Sequence, residues 1–548
     1  MNQPFSAYPR PQCKRNSYLC LNGLWDFAVT RSDEAPETYT EQILVPFPPE
    51  SSASGQNRRI EADERMFYRT TFALPTGFVE GRVLLHFGAV DQEATVYLNG
   101  RELGSHFGGY LPFCFDATDA IEPINTLVVR AVDRLDHAYP WGKQKRDNGG
   151  MWYTPFSGIW QTVWLESVPN EYITDLEMES DLESVTLSVH ANGVGEETVS
   201  IETEQGLLSV PLHGKTRIPI PNPKLWTPET PHLYRMTVTH GTDKVESYFA
   251  LRTVRTGEVD GIPRLLLNGK PLFLHALLDQ GYWEEGIALP PDQGGYERDI
   301  LFAKSLGFQT LRKHIRIEPM LFYEACDRLG MLVLQDFVNN GTYHFFRDTA
   351  LPTVGIQRWP NGWLRRTDRE KAEFERSLAE TVQHLKNTPS LIYWTIFNEG
   401  WGQFDADRLY ERLKELDASR IIDTASGWFV PHKSDVKSIH VYFRPYRFRR
   451  HTLPVVLSEF GGYGMSDSEK QYGYRFFRNR EDYEAALWKL YEQQILPAIP
   501  KGLCGAVYTQ LSDVEEERNG LTSYDRKRPK VDASLFLRIR AAIDGALS

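Results

Sequence analysis

The chain has 548 residues, 41% of them hydrophobic and 24% charged, a composition typical of globular proteins with about three domains of roughly 100 to 200 residues each. Its formal net charge of −12 excludes a nucleic-acid backbone or an anionic membrane as the main partner, since either requires a basic patch that displaces counterions. Neutral partners fit better.

In chain order, the opening segment MNQPFSAYPRPQCKR lacks the apolar stretch of a leader, and no 18 apolar residues run together anywhere. The expected location is therefore cytoplasmic. Residues 15–168 form a succession of short alternating runs, LWDFAV, FYRTTFAL, RVLLHFGAV, ATVYLNG, NTLVVRAV and WQTVWLE, separated by Gly, Pro and Asn-Gly signals. This spacing predicts a β-sandwich over residues 1–168, with Asn99-Gly100 as a two-residue hairpin turn. Trp25, Trp160 and Trp164 fall on its predicted strands and are expected in its core. Residues 169–256, with VTLSVHA, VSIETE, LYRMTVTH and ESYFALRTV, have the length of a second, immunoglobulin-like sandwich.

From residue 257 to 548 the rhythm changes. Strands are expected at 273–278, 309–315, 332–337, 391–397, 421–425, 439–443, 455–459 and 505–510, alternating with helical periods such as ERDILFAKSLG, PMLFYEACDRLG and EKAEFERSLAETVQHLK. Eight such alternations predict a (β/α)8 TIM barrel, with little helix between residues 426 and 438. The five cysteines, Cys13, Cys20, Cys114, Cys326 and Cys504, include no C-x-x-C pair and read as buried free thiols in a reducing compartment.

Chemistry in such a barrel sits at the C-terminal strand ends. LIYWTIFNEGW places Asn398 and Glu399 at the end of strand four, and PVVLSEFGGYG places Glu459 at the end of strand seven. Two carboxylates across one mouth suit glycoside hydrolysis, one as acid and the other attacking the sugar or activating water. Arg312, His314 and Tyr442 are candidate donors that keep one of the pair ionised. Trp283, Trp401, Trp428 and Tyr508 are candidate sugar platforms, and Asp279 and Asp336 are candidate hydroxyl binders or partners of Arg312 and Lys313. His440 reads as a satisfied core histidine rather than a base. The basic run RPYRFRR, 444–450, reads as a solvated rim.

The chain resembles glycoside hydrolase family 2 through LNGLWDF at 21–27, VYLNGRELGSHFGGYLPFCFDAT at 96–118, YTPFSGIWQTVWLE at 153–166, FNE at 397–399 and SEFGG at 458–462. The resemblance implies a jelly-roll sugar-binding-like domain, an immunoglobulin-like domain and a catalytic barrel. It also implies retention of configuration, with Glu399 matching the acid/base and Glu459 the nucleophile. The Asn-Arg-His run and the Glu and His magnesium ligands of the best-known β-galactosidases are replaced by LFLHALLDQGYWEEG and LQDFVNNG, so no metal or other cofactor is expected. No Asn-x-Lys triplet follows Glu459, which disfavours a β-glucuronidase, and Phe397 stands where β-mannosidases have a second asparagine. A retaining exo-β-glycosidase acting on neutral non-reducing sugars, most nearly β-galactosidase-like, is the leading expectation. β-Glucuronidase and α-L-arabinosidase activities are alternatives within the family, and an inactive carbohydrate-binding protein is the alternative from another class. The expected partner is an oligosaccharide or glycoside. Family members are often oligomers whose first domain completes a neighbour's pocket, which leaves open whether 148–158 reaches the barrel mouth in its own chain.

Overall fold

The computed structural model describes residues 4–547 apart from 354–355, 357–365, 430 and 466–470. Its first part is a sandwich of two antiparallel sheets. One sheet runs in the order Glu41–Val45, Gly23–Thr30, Arg65–Phe72, Asn125–Val132, Glu93–Leu98, Arg101–Phe107; the other runs Tyr18–Cys20, Val163–Val168, Arg82–Phe87, Phe113–Asp116. Alternation along Glu93–Leu98 turns Ala94, Val96 and Leu98 inward, where they meet Trp25, Phe27, Phe87, Val129 and Leu165. Asn99 and Gly100, with φ of 53° and 78°, close the hairpin between Glu93–Leu98 and Arg101–Phe107. Both residues sit in the left-handed region that a tight hairpin turn demands. Trp164 is buried against His86, while Trp160 leaves the sandwich core and packs against the barrel beneath the Arg316 guanidinium, 5.0 Å from its ring centroid.

The second sandwich pairs a three-stranded sheet, Tyr172–Ser180, Ser184–Asn192 and Thr216–Pro219, with a four-stranded one, Gly206–Leu212, Glu197–Thr203, Tyr234–His240 and Asp243–Phe249. Val199, Ile201, Val238 and Val245 fill the space between them. Arg15 clamps the two sandwiches together, reaching Glu166 at 2.9 Å and Asp243 at 2.8 Å with all three groups buried.

Eight parallel strands follow: β1 (Leu274–Asp279), β2 (Thr310–Lys313), β3 (Leu332–Asp336), β4 (Leu391–Asn398), β5 (Ile421–Ser426), β6 (Lys437–Val441), β7 (Val455–Gly461) and β8 (Leu503–Thr509). They are hydrogen-bonded in the order β5-β4-β3-β2-β1-β8-β7-β6, a ring left without a ladder only between β5 and β6. Most are buried throughout, as both-side burial of a parallel sheet requires. Around them lie α1 (Gly295–Ser305), α2 (Met320–Leu329), α3 (Asp368–Leu385), α4 (Ala406–Leu416), α5 (Arg480–Leu490) and α6 (Ala533–Leu547). Among the described residues no helix separates β5 from β6 or β6 from β7. No disulfide joins any of the five cysteines, and Cys114 is exposed rather than buried because it lies on the short outer strand Phe113–Asp116. No described helix is long and apolar enough to cross a membrane.

Candidate active site

β4 delivers Asn398 and, directly after it, Glu399, whose φ of 52° lies in the left-handed region and is followed by Gly400 at 74°. A non-glycine residue held there costs on the order of 1–2 kcal/mol, and the strain persists because the Glu399 N–H donates to Ser426 O at 2.9 Å on β5. The Glu399 side chain thereby turns into the barrel mouth. Glu459 arrives from β7. One oxygen of Glu399, one nitrogen of His440 and one oxygen of Glu459 all lie within 4.8 Å of one another.

The surroundings of the two carboxyls differ. Glu459 accepts from Arg312 Nη1 at 3.1 Å and from the Tyr442 hydroxyl at 2.5 Å. Burial pushes its carboxyl up, but the neighbouring His440, Arg312 and Tyr442 outweigh that and hold it below the ordinary carboxylate range. For Glu399 burial prevails: the hydrogen bond from His440 Nδ1 at 2.8 Å pulls the value back only partly, the charge of Glu459 adds to the rise, and the net displacement is upward. One carboxyl is poised to keep its proton and the other to lose it.

Arg312 is the hub beneath the pair. It grips Asp336 with two bonds of 3.0 Å, donates to Asn398 Oδ1 at 2.9 Å and reaches Glu459. His314 donates from Nδ1 to Gln280 Oε1 at 2.9 Å, leaving Nε2 buried, without a partner and 3.6 Å from Glu459. Burial, then the charges of Lys143 and Arg312, push the His314 imidazole well below its ordinary value, so it stays neutral. His440 has a partner at both nitrogens, and those partners place it in the site: Nδ1 serves Glu399, and Nε2 lies 3.0 Å from Ser426 Oγ and 3.6 Å from Glu459.

Several other sequence candidates are engaged elsewhere. Of the two readings for Asp336, hydroxyl binder or partner of Arg312, the pairing is the one seen, with both oxygens taken by Arg312. Asp279 likewise accepts from Lys313 Nζ at 2.6 Å and the Gly281 N–H at 2.9 Å. Trp283 is not an open platform, because Arg526 covers its ring at 4.0 Å. Tyr508 is fully buried, its hydroxyl donating to Tyr463 O at 3.1 Å. Trp401 is 2% exposed and stacks on Trp152 at 5.2 Å, forming wall rather than floor. Trp428 is half-buried, 6.2 Å from the His440 ring, and Tyr442 stacks on Tyr474 at 3.7 Å. The arginines of 444–450 are exposed at the rim.

The sequence left open whether 148–158 reaches the barrel mouth in its own chain, and it did not single out Lys143. Residues 137–154 cross to the barrel mouth within the same chain. Trp141 bonds to Asn339 O and Gly341 O after β3, Asn148 and the Thr154 N–H bond to Glu515, and the Tyr153 hydroxyl bonds to Glu517 after β8. This crossing brings Lys143, 5% exposed, close enough for its charge to act on Glu399, Glu459 and His314. Among the described residues one group of three side chains has metal-ligating spacing, and it is Glu399, His440 and Glu459, the facing pair with the imidazole between them.

Two sandwiches ahead of a barrel that presents a carboxyl pair at β4 and β7 define a multidomain carbohydrate-active architecture. Models described as "Glycosyl hydrolase 2 galactose-binding domain-like", "Glycosyl hydrolases family 2" and "Glycosyl hydrolases family 2, TIM barrel domain" match residues 49–157, 171–252 and 261–498. The chain belongs to glycosyl hydrolases family 2. A "Beta-galactosidase" of Thermoanaerobacter pseudethanolicus is 26% identical over 383 residues, covering 65% of this chain and 47% of that protein. The chain spans a little under half the length of the curated relatives it matches. Two solved structures share the fold over nearly their whole length. A β-glucuronidase of an uncultured Clostridium sp. is 19% identical with a TM-score of 0.77, covering 97% of this chain and 99% of that one. A β-galacturonidase from Eisenbergiella tayi is 19% identical with a TM-score of 0.71, covering 97% of each.

Proposed function

We propose that the protein is a retaining exo-β-glycosidase that removes neutral sugars from non-reducing ends, most nearly in the manner of a β-galactosidase. The observation that carries this reading is the facing pair, Glu399 and Glu459, with one oxygen of each within 4.8 Å of the other and environments that push their proton affinities apart. Direct attack by one carboxylate requires carboxyls only about 5–5.5 Å apart, whereas an inverting pair needs about 6.5–9.5 Å to admit water. The short separation supports retention.

In the first step Glu459, held ionised by Arg312 and Tyr442, attacks the anomeric carbon. The bond to the leaving oxygen breaks and Glu399 delivers its proton to that oxygen. In the second step Glu399, now a carboxylate, takes a proton from water. The water oxygen displaces Glu459, so two inversions restore the original configuration. Asn398, oriented by Arg312, is placed to bond the hydroxyl next to the reacting carbon. Segment 137–154 covers the mouth on one side, which suits a pocket taking one terminal sugar.

The names of the solved relatives raise a uronidase reading, yet the local charge favours a neutral sugar: two buried cations, Arg312 and Lys143, already face three buried anions, Asp336, Glu459 and Glu517. A panel of chromogenic β-glycosides, uronides and α-L-arabinosides tests the class, with neutral glycosides expected to turn over fastest. Roles within the pair are read with azide. Glu399→Ala gives a glycosyl azide that keeps the substrate's configuration, and Glu459→Ala gives the opposite anomer; exchanged anomers by proton NMR would reverse the assignment. No hydrolysis of any member by folded protein would favour a carbohydrate-binding role instead.

A further inference from the structure

Lys143 is buried over most of its length, and among the described residues its Nζ makes no hydrogen bond. The one carboxylate within reach is Glu517 Oε2 at 4.0 Å, and the Tyr153 ring lies 5.1 Å away. An ammonium at the end of a mostly buried side chain, with three unused donors, is ready for a hydrogen-bonding partner. Its backbone is fixed: Lys143 O accepts from the Tyr153 N–H at 3.0 Å. Next in the chain, buried Gln144 is anchored to Asp91 at 3.0 Å and to the Phe156 N–H at 2.8 Å.

More unmet groups surround it. Glu517 accepts from the Tyr153 hydroxyl and from Asn519 Nδ2, leaving further lone pairs free. Asn519 Oδ1 and Gln510 Nε2 are buried without partners. Gln510 is part of the same cluster, since its N–H donates to Asn519 O at 3.2 Å and its Oε1 accepts from Gln280, the residue that holds His314 beside Glu459. The unmet set therefore mixes donors, Lys143 and Gln510, with acceptors, Glu517 and Asn519. A carboxylate only accepts and would leave those acceptors unanswered. A hydroxyl does both.

We propose that Lys143 of the first sandwich and Glu517 of the loop after β8 form the couple that selects the terminal sugar, Lys143 donating to one ring hydroxyl and Glu517 accepting from an adjacent one. The proposal rests on the glycosidase reading and deepens it: the pocket recognises an uncharged sugar through a neighbouring pair of hydroxyls.

The test takes the best aryl β-glycoside for the full-length protein and its monodeoxy analogues. Wild type, Lys143→Met, Lys143→Arg and Glu517→Gln are compared, with circular dichroism and thermal unfolding verifying the fold. Lys143→Met is expected to lower kcat/KM about 10- to 100-fold on the parent sugar, the loss for one hydrogen bond to a charged group. On the analogue lacking the partnered hydroxyl, wild type falls to the same level and the substitution adds no further loss. Glu517→Gln should show the same pattern on the adjacent position. Equal loss on every analogue, with a displaced pH profile, would mean that Lys143 acts only through Glu399 and Glu459, and the proposal fails. A selective loss of uronide hydrolysis would also overturn it. A wild-type protein inactive on every glycoside sinks the glycosidase reading instead; calorimetric binding of free monosaccharides, lost in Lys143→Met, then decides the inference by itself.

Discussion

His440 stands between two carboxyls whose surroundings shift them in opposite directions. In the proposed mechanism Glu459 acts ionised, so the rate should fall as pH drops through its lowered value, and Glu399 acts protonated, so the rate should fall again as pH rises through its raised value. Because His440 lowers both carboxyls, His440→Gln should move both limbs of the kcat/KM profile to higher pH, whereas a histidine acting only in packing would leave them in place. Chelation should leave kcat unchanged despite the ligand-like spacing of Glu399, His440 and Glu459, since two of the three are assigned to the reaction itself; activity restored only by an added cation would refute this. Arg312→Ala leaves Asp336 and Glu459 buried without their cation, and breaking such a network costs roughly 3–5 kcal/mol. Thermal unfolding should show that loss together with inactivation. At this scale the glutamates were legible because each closes an apolar run at a strand end. Lys143 and Glu517 were not, since both lie in irregular loops with no periodicity, joined by contacts such as Tyr153–Glu517 that span 364 positions.

Among the elements, every barrel strand and the helical periods over α1, α2 and α3 were legible, because parallel strands buried on both sides read as continuous apolar runs and amphipathic helices as spaced ones. The stretch between β5 and β6 gave no helical period, and there the chain is tied down by side chains instead. Asp435 accepts from Tyr410 at 2.7 Å and Lys414 at 2.7 Å, and its N–H donates to Ile422 O at 2.9 Å. A capping box went unread: Thr367 accepts from the Glu370 N–H at 3.2 Å, and Glu370 accepts from the Thr367 N–H at 2.7 Å. Thr367→Ala should cost about 1 kcal/mol of local stability, seen as faster hydrogen exchange in the first turn of α3 with later turns unchanged. Uniform protection in wild type and variant would show the cap to be idle.

Across the whole molecule, the buried Arg15 clamp makes stability depend on acid. Burial raises the Glu166 carboxyl, but His86, Arg10 and Arg15 outweigh it and hold it at about 2 against an ordinary 4.5. The stabilisation is full above the ordinary value and drains away as pH falls through the folded one, so wild-type unfolding temperature should decline between about pH 4.5 and 2. Arg15→Gln should lower that temperature at neutral pH and flatten the decline; an unchanged slope would locate the acid sensitivity elsewhere. The two-sandwich-and-barrel order was readable from changes of rhythm alone. The crossing of 137–154 was not, because its glycines and aromatics look like any surface loop until Trp152 meets Trp401.

That crossing separates the two halves of the proposed reaction by domain as well as by position. The carboxyl pair is carried by the barrel, while Lys143 is carried by the first sandwich. Exchanging that sandwich for a relative's would change the reading of the hydroxyl assigned to Lys143 while leaving Glu517 and the stereochemistry in place: the chimera should still yield the retained anomer, with altered discrimination at that one position.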